Sequence, residues 1–288
     1  MLIRAGFEIH FETMQPTPML AALNVHPSRR DDLRTPDRVE AFPNLPLTRY
    51  RDGFGNVCSR FTVPPGGVTL KNSFIIADCG QPDIPAPESS ALPVESLPDD
   101  VLVYLLGSRY CETDRMMPLA WSLFGAIPSA RDRVNAITDF VHNHIRFGYE
   151  FARPDKSAWM AYEEGAGVCR DFAHLAITLC RCMNIPARYC TGYLGDIGIP
   201  PIDAPMDFSA WFDVYIDGQW YTYDARHNEP RIGRILMARG RDATDAALVT
   251  AFGPAILTQF TVHTDEVHTH KARFSPGAIA LPPIFINE

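Results

Sequence analysis

The stretch Gly165-Ala-Gly-Val-Cys169-Arg-Asp-Phe-Ala-His-Leu175 decides how this chain is read. A Gly-rich approach runs into residues at helical spacing. Val168, Phe172, Leu175, Ala176, Leu179 and Met183 share one apolar face. Cys169 therefore falls in the first turn of a predicted helix. The unpaired N–H groups and the positive end of the helix dipole favour a thiolate there. This makes Cys169 the candidate nucleophile. The competing reading of any cysteine is a small, inert core residue, and six others are present.

Downstream of this helix the apolar period switches to two. Residues 187–194 read as a strand. Residues 207–217 and 219–225 read as a strand pair joined at Asp217-Gly218, a strong hairpin signal. A two-residue turn there pairs Ile216 with Gln219 and sorts the hairpin into two faces. Phe208, Ala210, Phe212, Val214, Ile216, Tyr221, Tyr223 and Ala225 form the core side. Ser209, Trp211, Asp213, Tyr215, Trp220, Thr222 and Asp224 form the other, with Ser209 and Asp224 as diagonal neighbours roughly 7 Å apart at Cβ. Between the strands, residues 195–206 make a Pro- and Gly-rich loop that could serve as a lid.

Upstream, residues 131–146 carry Val134, Ile137, Phe140, Val141 and Ile145 on one helical face. Helical patterns begin near Asp99. Residues 80–99 are rich in Pro and Ser, the composition of a linker or extended crossing. Residues 1 to about 85 contain strand-like runs at 2–11, 57–63 and 74–77, separated by turn signals, which predicts a small sandwich or barrel. The order is β region, linker, helices, nucleophile helix, antiparallel strands: an α+β protein. We divide it into an N-terminal β domain with its linker (1–98), a core (99–240) and a C-terminal extension with strands (241–288).

The 288 residues are 46% hydrophobic and 21% charged, the composition of a globular protein with a sizeable core. A net charge of −8 argues against non-specific binding to nucleic acid or anionic membrane. No run has the length of a transmembrane helix, and the first residues alternate like a strand, unlike a signal peptide. The seven cysteines show no disulfide framework and no zinc spacing, so we expect reduced thiols, a cytoplasmic setting and no metal or other cofactor.

The run GVCRDFAHLAITLCRCMNIPARYCTGYLGD, followed by SAWFDVYIDGQWYTYDARHN, resembles the transglutaminase-like superfamily, and within it the bacterial transglutaminase-like cysteine proteases. The likeness covers about residues 100–240 and extends to the N-terminal β region. It implies a papain-like core, with the nucleophile helix packed on an antiparallel sheet, that acts on amide bonds of a protein or peptide. Hydrolysis or acyl transfer to an amine would proceed through a cysteine acyl-enzyme. Cys169 matches the family nucleophile, and Asp224 matches the aspartate that orients the catalytic histidine. At the position of that histidine, just before Ala-Trp, this chain has Ser209, whose hydroxyl is no base near neutrality.

Three readings follow. His227, just past the strand, can serve as the base if the chain bends after Ala225. His174 ranks below it, about 140° round the helix from Cys169. Alternatively, the site works as a weakened Cys169–Asp224 dyad. Finally, the chain is a degenerate, non-catalytic peptide-binding or assembly protein, with Trp211, Tyr215 and Trp220 as walls of the substrate cleft. His263, His268 and His270 near Asp265 and Glu266 mimic metal ligands but read better as a solvated strand. His142 and His144 lie about 200° apart on a helix and form no nuclease motif. The sequence sets neither the substrate nor the oligomeric state.

Overall fold

The computed structural model describes residues 1–90, 92–200 and 206–267. The chain opens with six strands: β1 (Leu2–Glu12), β2 (Thr17–Ala21), β3 (Glu40–Phe42), β4 (Thr48–Arg51), β5 (Val57–Val63) and β6 (Val68–Ala77). A mainly helical stretch follows: α1 (Asp99–Leu102), α2 (Thr113–Phe124), α3 (Ala130–His144), the short strand β7 (Arg146–Phe147), α4 (Ala158–Glu164), β8 (Ala166–Gly167) and α5 (Cys169–Cys182). Strands then dominate: β9 (Ala187–Tyr193), β10 (Ser209–Ile216), β11 (Gln219–Tyr223), β12 (Ile235–Gly240), β13 (Val249–Ala251) and β14 (Ile256–Glu266). The architecture is α+β with antiparallel main sheets, as the sequence predicts.

Two four-stranded sheets, ordered β14-β1-β6-β3 and β13-β2-β5-β4, face each other as a sandwich. Alternation in β1 sends Ile3, Ala5, Phe7 and Ile9 inward, where they share a core with Met19, Phe61, Val63, Leu70, Phe74 and Ile76. The sandwich is not built from the N-terminal residues alone. β14 pairs along the whole of β1, and β13 pairs with β2, so the chain returns after residue 240 to complete both sheets.

The third sheet, ordered β11-β10-β9-β12, carries the other half of the molecule. On one face Ala210, Phe212, Val214 and Ile216 pack against α5, together with Val134, Ile137 and Val141 of α3. The hairpin register is the expected one, Ile216 opposite Gln219 through Phe212 opposite Tyr223. Asp217 and Gly218 both take positive φ, 51° and 81°, the geometry of a two-residue hairpin turn. On the other side, Tyr193, Phe208, Ile235 and Met237 join the core of the sandwich, so the sheet is sealed on both faces.

The α5 helix is almost wholly buried. Its polar residues Asp171, His174, Thr178 and Arg181 are therefore internal. Arg181 donates to the carbonyls of Ala187, Leu106 and Arg241 at 2.5–3.1 Å. His174 is fully buried, accepts from the Ala243 N–H at 3.1 Å and stacks on Tyr110. Among the described residues, no helix is long and apolar enough to cross a membrane.

Candidate active site

The start of α5 is held by three local devices. The β7–β8 pair places Phe147 beside Gly167, two residues before Cys169. Asp171, at the third helical position, turns back to accept the Val168 N–H at 2.9 Å. Gly167 is required by that cap: a Cβ there would lie 2.7 Å from the Asp171 side chain. The half-buried Cys169 thus heads the helix in a fixed position.

The helix start alone predicts an acidified thiol, and the structure shows the opposite shift. Burial pushes Cys169 up to about 11. The Arg226 guanidinium and the Ala210 backbone N–H oppose that shift, and the charges of Asp207 and Asp224 add to it. Desolvation outweighs the end of the helix because the sulfur faces low-dielectric surroundings with carboxylates of its own sign nearby. The resting group is a neutral thiol, so attack requires a base that takes its proton.

The turn after β11 holds an oriented imidazole. The strand ends at Tyr223, and Asp224 begins a turn closed by the Asn228 N–H donating to the Asp224 carbonyl at 2.8 Å. Oδ1 of Asp224 accepts the N–H groups of Arg226 and His227 at 3.0 and 3.1 Å. Its Oδ2 accepts Nδ1–H of His227 at 2.8 Å. The bend that His227 needed is therefore present, and it begins at Asp224 itself. With Nδ1 as donor, the neutral imidazole keeps its lone pair on Nε2, the tautomer a general base needs. Among the described residues, no imidazole is hydrogen-bonded to the Cys169 sulfur. Arg226 and Asp224, on the same turn as His227, both act on the thiol electrostatically.

Asp224 is buried, which alone would raise its pKa. The Arg234 guanidinium, 3.0 Å from Oδ2, together with His227 holds it well below the usual carboxylate range. Arg234 is anchored in turn by Asp83, whose Oδ2 accepts Nε at 2.9 Å and also the Arg231 N–H. The Pro-rich crossing thus reaches directly to the site. From the other side, α3 fixes the turn. His142 donates from Nδ1 to the carbonyls of Ala225 and Arg226, both at 3.1 Å, and Asp139 accepts from Asn228 at 2.8 Å. A cavity of about 360 Å³ lies between the crossing, α3 and β11; it is lined by Asp224 but not by Cys169.

Ser209 is buried, with an Oγ that has no hydrogen-bond partner among the described residues. The three aromatics expected at a cleft pack elsewhere. Alternation puts Trp211 and Tyr215 on the face of β10 away from α5. Trp211 is 3% exposed, with Arg234 over its ring. Trp220 sits among Tyr104, Tyr215 and Arg188. They are a support layer, Trp211 for the arginine that grips Asp224. Phe147, Tyr149 and Arg226 are the side chains grouped near Cys169 instead. His174 lies in the core and plays no part, and burial lowers it to about 3. His263 lies in β14; His268 and His270 lie outside the described residues. Among the described residues, no group of His, Cys, Asp and Glu could hold a metal ion.

The transglutaminase-like superfamily core model matches residues 119–225, which hold Cys169, Ser209 and Asp224. The crystal structure of a "putative cysteine protease" from Cytophaga hutchinsonii is 31% identical. It superposes with a TM-score of 0.77 over 96% of this chain and 93% of the other. The chain belongs to the transglutaminase-like superfamily. This superfamily member is also 26% identical over 221 residues to an uncharacterized protein of Mycobacterium leprae, covering 73% of this chain and 77% of that protein. In the transglutaminase-like chain described here, the family match ends two residues before His227. The sequence reading named His227 as the candidate base but missed Arg226 and the positioning residues His142 and Arg234. Only the run of charged and polar residues in Asp224-Ala-Arg-His-Asn228 hinted at Arg226.

Proposed function

We propose that the protein is a thiol enzyme that acts on amide bonds of a peptide or protein, with Cys169 as nucleophile, His227 as general base and Asp224 as its orienting carboxylate. One observation carries this reading: the 2.8 Å bond from His227 to Asp224, which provides the oriented imidazole that Ser209 cannot. Nε2 takes the thiol proton as sulfur attacks the amide carbon. The resulting oxyanion is met by the backbone N–H of Cys169 in the first turn of α5. The imidazolium returns the proton to the leaving amine, and a water or second amine then releases the acyl group from sulfur. Hydrolysis is the simpler of these outcomes. A reducing, cytoplasmic setting is supported by seven cysteines, none of them bridged.

The test is iodoacetamide labelling of Cys169, followed by peptide mass spectrometry, in the wild type and in His227→Ala. The reading expects Cys169 to react faster than the buried Cys180 and to slow when His227 is removed. Equal, slow labelling of both cysteines in both proteins would reject it and leave a non-catalytic peptide-binding role.

A further inference from the structure

Arg226 is a half-buried cation beside the nucleophile, and the proposed chemistry does not use it. Its guanidinium lies 3.9 Å from the Phe147 ring centroid. Phe147 pairs with Gly167 and packs towards Phe172 in the first turn of α5. The Tyr149 hydroxyl lies beside the same guanidinium. The backbone of Arg226 is pinned at both ends, its N–H by Asp224 and its carbonyl by His142. The side chain is thus seated on an aromatic shelf at the head of the nucleophile helix. Among the described residues, no carboxylate comes within ion-pair distance of it, whereas Arg188, Arg234 and Arg241 each hold one.

A rigid, unpaired guanidinium next to a reactive sulfur is a receptor for a carboxylate, which its planar fork matches. We infer that Arg226 selects substrates carrying a free carboxylate beside the scissile amide, as at the C-terminal residue of a peptide. Two facing charges oppose it: Asp207 and Asp224 both lie near the sulfur. Asp224 is already paired with Arg234 and hydrogen-bonded to His227. Burial raises the pKa of Asp207 and the Arg226 guanidinium lowers it, and the two side chains are not within ion-pair distance.

This inference rests on Cys169 being the nucleophile, and the test separates the two claims. Cys169 is alkylated in parallel with iodoacetate and iodoacetamide, and its rate is followed by peptide mass spectrometry. In each case sulfur displaces iodide from the CH₂ carbon and the thiol proton is lost to base; only the reagents' charge differs. The iodoacetate-to-iodoacetamide rate ratio is expected to exceed that of glutathione by about ten-fold or more, the size of one charge-assisted contact. Arg226→Gln is expected to remove that excess and Arg226→Lys to keep part of it. Because Arg226 also favours the thiolate, its loss slows both reagents, and the ratio cancels that effect. A reactive sulfur with the glutathione ratio, or a ratio unchanged in Arg226→Gln, would overturn the carboxylate site alone. A sulfur inert to both reagents would overturn the thiol-enzyme reading and this inference with it.

Discussion

His227 donates from Nδ1 to Oδ2 of Asp224 at 2.8 Å, three residues apart on one turn. The usual family arrangement draws the histidine from the neighbouring strand, at the position of Ser209. Here the strand stops at Tyr223 and the turn carries the imidazole back to the carboxylate. The pair is therefore local in sequence, and its geometry depends on how the turn is held.

Exchanging the two positions tests whether His227 takes the role proposed for it. His227→Ala is expected to cut amide turnover by about 10²–10⁴-fold, the usual contribution of a general base. Adding Ser209→His to that variant should restore part of the loss, because Ser209 stands at the position of the family histidine and is buried with an unsatisfied hydroxyl. The measurement is kcat/KM on a fluorogenic peptide amide. A double variant no better than His227→Ala would mean that the strand no longer points at the carboxylate.

Cys169 should titrate as a weak acid. Burial pushes it up to about 11, so the iodoacetamide rate should climb through the alkaline range with no plateau near 8.5. The stability sign follows. A folded pKa above the unfolded value favours the neutral thiol in the native state. That contribution is complete below about pH 8.5 and is lost as pH rises towards 11. Asp207→Asn removes a like charge and should move the labelling midpoint down. A midpoint below 8 in the wild type would contradict the burial argument.

Arg234→Gln should be more damaging than most single changes, because it leaves Asp224 buried without its cation. Removing one partner of a buried pair costs about 3–5 kcal/mol. Urea unfolding at pH 7 reads this directly. The depressed Asp224 pKa stabilises the native state above about pH 4, the unfolded carboxylate value, and that stability is lost as pH falls further. The variant's deficit should therefore shrink in acid, and a pH-independent deficit would point to lost packing on Trp211 instead.

Gly167→Ala should act through the helix cap. The new methyl meets Asp171 at 2.7 Å, so the Val168 N–H loses its acceptor or the helix start shifts. A lost cap costs about 0.5–2 kcal/mol. A lowered Tm together with slower Cys169 labelling is expected; an unchanged labelling rate would show that the cap does not position the sulfur.

Much of this was legible beforehand because it is local. The start of α5 at Cys169, the Asp217-Gly218 turn and the hairpin register depend on apolar period and turn chemistry within a few residues. Asp224 was readable for the same reason, as the end of a strand with fixed alternation. Trp211, Tyr215 and Trp220 misled as cleft walls because alternation separates two faces without saying that both are covered.

What the amino-acid order settled by itself was the succession of elements, the cysteine at a helix start and the serine at position 209. Tertiary packing alone decided three further things. It returned β13 and β14 to the N-terminal sandwich, and it tied Asp83 through Arg234 to Asp224. It also buried the sulfur deeply enough to keep it protonated. Periodicity reports which face of an element is apolar, whereas desolvation and long-range ion pairs depend on what finally lies against that face.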